Sequence, residues 1–598
     1  MRRHEALSLV ITAAFVAATF VGQAYAYTGW SWSNPLPQGN PLVAVAIVNA
    51  STTVAVGDLG TIVRTTNGGV RWDQIASGTL RDLRGVSFGD ANTGTAVGLG
   101  GTILRSTDGG ATWRPQFAPT TRDLNGVSFT DANTGTAVGA AGTIVRTTDG
   151  GVTWVPQASG TTRTLFSVSF ANALIGTAVG AEGTILRTID GGATWVAQAS
   201  PATADLYGVS FTGPLFGTAV GAGGTILRTT SGGLTWTAQT SATWLPLYGV
   251  SFTDALNGTV VGAGGLILRT TDGGMFWRSQ ASHSWLNLSA VAFRDANTGT
   301  VVGIEGLILG TADGGANWHE ESAGTDWLLL DVAFTDANTG IAVGAGGTIM
   351  RTTDGGRNWG RMSTGTDETL HGAAFIDPST AIVVGANGTI LRTSDAGASW
   401  IAQVSGTTET LFDVSFGDAS TGTAVGSGGV ILRTSDGGVT WNPQTSGTTE
   451  PLWGIWFTDA NTGTACGHLG TVLRTTDGGT TWTAQSTSGG ELQAVHFTDT
   501  ARGTIVGDNG VIYGTLDGGA TWTRQSSGTA EHLLGVFFTD ANHGTVVGRY
   551  GTILHTADGG GTWSPEFSDT RSNLFGVFFS DPDTGTVVGG EGTILRTR

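Results

Sequence analysis

The sequence predicts an all-β fold, a β-propeller of four-stranded antiparallel blades. One phrase repeats along the chain, each copy holds four short strand-like runs, and a tryptophan closes each copy. The closing tryptophans fall at 72, 113, 154, 195, 236, 277, 318, 359, 400, 441, 482, 522 and 563, so every step is 41 residues except one of 40. Repeats of this length mean propellers or solenoids. No run of helical period and useful length interrupts them.

The copy from Leu124 to Gln157 shows the elements in order. LNGVSF reads as strand a, GTAVG as strand b, GTIVRT as strand c and TWVPQ as strand d. The clusters DANTG, GAAG and TDGG separate them as turns. Four antiparallel strands in about 40 residues make one propeller blade.

The turn between strands c and d carries an Asp-box, Thr147-x-Asp149-Gly150-Gly151-x-Thr153-Trp154. An aspartate here can accept hydrogen bonds from its own tight turn, and the second glycine can supply positive φ. The box aspartates are Asp108, Asp149, Asp190, Asp272, Asp313, Asp354, Asp395, Asp436, Asp477, Asp517 and Asp558. In two copies Asn67 or Ser231 replaces the aspartate, and in one Ala396 replaces the first glycine, but the second glycine is always present. Backbone geometry is therefore the strict demand, and the aspartates read as structural.

The strand b–c phrase occurs fourteen times and the box thirteen times. The chain stops after a strand c, while Thr28-Gly29-Trp30-Ser31-Trp32 near the start looks like an orphan strand d. Fourteen blades exceed the usual four to eight of one ring. The preferred reading is two seven-bladed propellers in tandem, cut equally as 27–312 and 313–598 after a leader at 1–26. Pairing of the Trp32 strand with the last blade, in one large ring or in two rings joined by two crossings, stays open.

The leader follows from Arg2, Arg3 and His4, the apolar run Leu7 to Val21, and the small-x-small site Ala24-Tyr25-Ala26. This pattern predicts a secretory signal peptide and a secreted or periplasmic protein, with no membrane span after cleavage. A formal net charge of −18 disfavours nucleic acid as a partner. The single cysteine, Cys466, stands where other copies have valine and reads as a buried small hydrophobe.

The phrase G-x-x-G-T-I-L-R-T-x-D-G-G-x-T-W, as in Gly180 to Trp195, resembles the photosystem II stability/assembly factor family across essentially all of the predicted mature chain. More loosely it is similar to the BNR/Asp-box proteins, which include sialidases and tandem-propeller xyloglucan hydrolases. The closer resemblance implies a non-catalytic propeller that binds a protein partner, a membrane-protein complex in photosynthesis, from the lumen or periplasm. It also implies a patch of blade arginines. This chain departs from the family in having fourteen repeats instead of seven.

Strand c ends in Arg64, Arg105, Arg146, Arg187, Arg228, Arg269, Arg351, Arg392, Arg433, Arg474 and Arg596, and the rule breaks at Gly310, Gly514 and His555. A salt bridge to the a–b turn aspartate would require joint loss. Asp295, Asp499 and Asp540 persist without the arginine, and Arg187 and Arg228 persist without the aspartate. Hydrogen bonding to carbonyls within the blade and an exposed patch for an acidic protein partner both remain open. Trp244 and Trp285, at equivalent positions in successive d–a loops, with Trp327 nearby, are a second candidate surface, for protein or polysaccharide. The alternative function is a glycoside hydrolase, which needs a carboxylate pair and cleft-building loops. The constant spacing leaves no room for such insertions, and the nine histidines lack metal-ligand spacing, so neither cofactor nor metal is expected.

Overall fold

The computed structural model describes residues 30–34, 38–321, 327–485, 487 and 490–597; the predicted leader lies outside them. They form fourteen four-stranded antiparallel sheets, each one blade. Blade 1 opens with strand a at Leu42–Ile47, blade 7 at Leu288–Phe293, blade 8 at Leu329–Phe334 and blade 14 at Leu574–Asp581.

Burial follows position in the blade. Strand b of blade 3, Gly135–Gly139, is buried at all five residues, whereas strand d, Val155–Gln157, is mostly exposed. Strand b reads as a continuous apolar run because it lies between neighbouring sheets on both faces. The core sits between blades. Val97 and Ile103 of blade 2 pack with Leu124, Val127, Phe129, Ala137, Val145 and Trp154 of blade 3. Trp154 meets Phe129 edge-on at 6.0 Å, a favourable aromatic geometry.

Two glycines show why the phrase varies so little. Gly142 ends the b–c turn at φ +69°, where a Cβ would stand 2.0 Å from the carbonyl oxygen of Thr161. Gly151 of the box has φ +86°, and a Cβ there would stand 2.2 Å from Gln116 Oε1. Both positions need left-handed backbone and a missing side chain.

The blades close into two rings. Strand a of blade 7 packs beside strand a of blade 1, and strand a of blade 14 beside that of blade 8. The core clusters agree: Leu42, Ala55, Val63 and Trp72 pack with Val302 and Ile308, while Leu329, Val332 and Met350 pack with Val588 and Ile594. Each ring has seven blades.

The strand at Trp30–Asn34 is strand d of blade 14, pairing Trp30 with Thr597 and Trp32 with Leu595. Both seams of the equal cut at 312/313 are thereby corrected. The N-terminal strand belongs to the second ring, and His319–Glu320 completes blade 7 of the first. Trp30, not Trp32, takes the place of the box tryptophan: it meets Phe579 edge-on at 6.1 Å. The first ring closes without strand exchange.

Candidate protein-binding faces

The box turn is self-contained. Asp149 Oδ1 accepts from the Thr153 backbone N–H at 2.9 Å and from Thr147 Oγ1 at 2.8 Å, and Oδ2 accepts from Thr153 Oγ1 at 2.6 Å. These donors hold its carboxyl down at about 2. Asn67 keeps two of these contacts, its Oδ1 accepting from the Arg71 backbone N–H and from Thr65 Oγ1, both at 2.9 Å. The box aspartates are thus turn fasteners, in line with their replaceability.

Nine of the eleven strand c arginines reach across to the next blade, in two alternative ways. In the first, Nε donates to a box carbonyl: Arg64 to Gly109, Arg146 to Gly191, Arg187 to Gly232, Arg351 to Ala396 and Arg392 to Gly437, at 2.6–2.9 Å. In the second, used by Arg105, Arg228, Arg269 and Arg433, Nη1 donates to the strand b threonine of the same blade. Nη2 donates to the a–b turn alanine carbonyl of the next blade. A strand d glutamine then serves the box instead. Gln116 Nε2 donates to Gly150 O at 3.2 Å while its Oε1 accepts from Trp154 Nε1 at 3.2 Å. Gln239, Gln280 and Gln444 do the same.

This geometry corrects the reading of the arginines as one exposed patch. They are spread around both rings, and Arg105, Arg228 and Arg269 are at most 9% exposed. The carbonyls they bond lie mainly in the following blade, not within their own. Their acceptors are largely backbone, which explains why the arginine survives changes in the turn side chains.

The face formed by the d–a and b–c loops is different. Trp244 is 80% and Trp285 72% exposed, whereas Trp327 lies against Gly346, with the Arg361 guanidinium 5.5 Å from its ring. The same loops carry exposed Arg81, Arg122 and Arg163 in the first ring. The equivalent position in the second ring holds Glu368, Glu409, Glu450 and Glu531. Arg81 donates to Gly100 O at 2.8 Å and Arg163 pairs with Glu182 at 2.6 Å. In the second ring His468 sits between Glu450 and Glu491, at 2.7 and 3.2 Å. The loop face is therefore basic and aromatic on the first ring and acidic on the second. Sequence reasoning missed this split, although the position just before the last loop residue shows it.

The channel of the second ring holds two further residues that sequence reasoning missed. The third residue of strand a is glycine, alanine or serine in twelve blades, but Asp331 in blade 8 and Asp413 in blade 10. Both line a cavity of about 310 Å³ together with His371, Phe412, Trp453 and Trp456. Asp331 Oδ2 accepts from the Ala373 N–H at 2.9 Å and Asp413 Oδ2 from the Ile455 N–H at 2.8 Å. Burial nevertheless pushes their carboxyls up to about 7 and about 8, Asp331 adding to the rise at Asp413.

The family model for the Photosynthesis system II assembly factor YCF48 matches residues 70–154, 115–195, 156–246, 241–320, 320–400, 401–483 and 446–528. The chain belongs to this family. A solved structure titled "YCF48 bound to D1 peptide" is 23% identical and covers 46% of this chain and 92% of its own, with a TM-score of 0.41. Two GH74 enzymes match more of the length. The GH74 enzyme of Niastella koreensis is 17% identical over 95% of this chain and 99% of its own, with a TM-score of 0.60. The GH74 xyloglucanase of Xanthomonas campestris is 15% identical over 95% and 99%, with a TM-score of 0.58. At these identities the likeness is one of fold. No curated protein matches the chain in sequence. Among the described residues no helix is long and apolar enough to cross a membrane, and no group of three or more His, Cys, Asp or Glu is placed to hold a metal ion.

Proposed function

We propose that this YCF48-family chain is an exported, non-catalytic scaffold that holds a protein partner across the d–a face of its two rings. The exposed pair Trp244 and Trp285 carries the reading. Two large aromatics in adjacent loops of a rigid ring are the anchors expected of a protein contact. Arg81, Arg122 and Arg163 on the same face favour an acidic segment beside an apolar one. Membership of an assembly-factor family supports the same class of function.

Replacing both Trp244 and Trp285 by alanine tests the reading in a capture experiment with the exported protein. Loss of the captured partner at unchanged melting temperature is expected, and undiminished capture overturns the proposal. Export itself is tested by N-terminal sequencing of the protein outside the cytoplasm, with cleavage after Ala26 expected.

A second reading has one observation in its favour: the tandem-ring fold is shared with GH74 enzymes over nearly the whole chain. Incubation with polysaccharides, scored by reducing ends, separates the two. Sustained turnover overturns the non-catalytic reading.

A further inference from the structure

The junction between blades 12 and 13 lacks half of its fastening. In the Arg105 junction the guanidinium lies over the Phe129 ring at 4.9 Å, with Nη1 on Thr95 Oγ1 and Nη2 on the carbonyl of Ala132. Arg228, Arg269 and Arg433 repeat the arrangement, with ring distances of 4.7, 4.9 and 5.5 Å. Blade 12 has Gly514 at the arginine position, paired with Thr504 in the register that pairs Arg105 with Thr95. Of the glutamine half the tryptophan bond survives: Gln525 Oε1 accepts from Trp563 Nε1 at 3.1 Å.

The other two junctions without the arginine are filled. At Gly310 the Glu321 carboxylate moves in and accepts from Trp72 Nε1 at 3.1 Å, and Arg294 donates to the carbonyl of Ala50, the counterpart of Ala132. In blade 13 the His555 imidazole stands at the position itself. At Gly514 a cavity of about 780 Å³ remains, lined by Thr504, Gln525, Phe538, Ala541, Asp517 and Asp558.

Its walls keep the guanidinium acceptors of the sister junctions. Thr504, Phe538 and Ala541 correspond to Thr95, Phe129 and Ala132. Neither Thr504 Oγ1 nor the Ala541 carbonyl takes part in a hydrogen bond among the described residues. His496, 4% exposed, also borders the cavity, and its Nδ1 has no partner. Arg502 and Arg524 stand at the rim, Arg502 turned to Asp499 at 3.9 Å. Gln525 Nε2 leans into the space the missing side chain would enter.

We propose that this cavity is a socket for a guanidinium group, the side chain of an arginine presented by a partner peptide. The planar group would lie on the Phe538 ring and donate to Thr504 Oγ1 and the Ala541 carbonyl, as four of the protein's own arginines do elsewhere. The socket lies on the box side of the ring, away from Trp244 and Trp285, so it stands or falls independently of that face.

Titration of the full mature chain with Nα-acetyl-arginine amide, followed by calorimetry, tests the proposal. Saturable binding in the millimolar range is expected for one side chain, with none for the uncharged citrulline analogue. Gly514→Arg, which supplies a tethered guanidinium, is expected to abolish binding and raise the melting temperature. Thr504→Val, which keeps the shape and removes one acceptor, is expected to weaken binding about tenfold. Absence of binding to the native chain overturns the proposal. So does binding that survives both substitutions, or an equal response to citrulline.

Discussion

Arg571 of the second ring donates from Nη2 to Asp82 Oδ1 of the first at 3.0 Å. Nη1 lies 3.7 Å from Asp58 Oδ2, and nearby Gln74 Nε2 donates to Asp569 Oδ2 at 2.7 Å. Burial pushes the Asp82 carboxyl up, but the Leu59 N–H and Arg571 outweigh it and hold it below the usual range. Asp82 is 4% exposed, so removing its cation strands a buried charge still faced by Arg84 at 3.0 Å. Arg571→Ala is expected to loosen one ring against the other, seen as a broadened distance distribution in small-angle scattering. Because the folded value is depressed, the contribution of Asp82 is present above its unfolded value near pH 4. It is lost as the pH falls through the folded value.

The inter-blade latches separate a structural from a binding role. Arg105→Ala is expected to cost about 1.5–3 kcal/mol in denaturant unfolding, the worth of charge-assisted bonds in a buried setting. Arg105→Lys should recover little of it, because an ammonium cannot span Thr95 and Ala132 as the planar fork does. Retained stability in the alanine variant would return the arginine to the pool of binding residues.

The box aspartates fix the acid limb of stability. Asp149, Asp190, Asp313, Asp395, Asp436 and Asp517 are each held at about 2 by side-chain and backbone donors. Depressed carboxylates stabilise the fold above roughly pH 4 and stop doing so as the pH falls towards 2. Their contribution to the melting temperature is expected to be constant above that point and to fall away steeply below it. Asp149→Asn should lower it less than Asp149→Ala, because an amide oxygen still accepts from the turn, as Asn67 does.

Asp331 and Asp413 work in the opposite direction. Their folded values, about 7 and about 8, lie above that of an unfolded aspartate. Stability should therefore decline as the pH rises from about 4 to 8, then level off once both are charged. The double replacement by asparagine is expected to flatten this limb and raise the melting temperature at pH 8. Unchanged pH dependence in that variant would show that the channel charges are compensated.

The architecture was largely legible in the sequence because each blade repeats one local solution. The box turn, strand b and the b–c glycine need the same residues wherever they occur. The destinations of the arginines were not legible, since carbonyl acceptors leave no trace in side-chain identity. Arg187 keeps its bond to the Gly232 carbonyl although the neighbouring turn has become GPLFG. The contacts of Arg571 and Asp569 join loops nearly five hundred residues apart from their partners, and no repeat pattern announces a contact made once. Asp331 and Asp413 did leave a signal, two acids at a position otherwise small, but the repeat drew attention to the strand's constant residues. Gly514 was visible as an exception, and only the sister junctions show what the exception vacates.

The strand at Trp30–Asn34 completes a sheet whose other members end at Thr597. Deleting residues 30–34 is therefore expected to open the second ring and spare the first. Two separated thermal transitions should replace the native profile, with proteolysis confined to residues beyond 327.

The same pairing sets a timetable for synthesis. The first ring can close as soon as blade 7 leaves the ribosome, whereas the N-terminal strand must wait for the last residues of the chain. At translation rates of about 5–20 residues per second, that wait is roughly half a minute to two minutes. Throughout it, a Trp-bearing strand is a free β-edge, open to pairing with another nascent chain. Production of this protein is thus a race between elongation and mispairing, and slower elongation should shift its product from monomer towards strand-swapped oligomers.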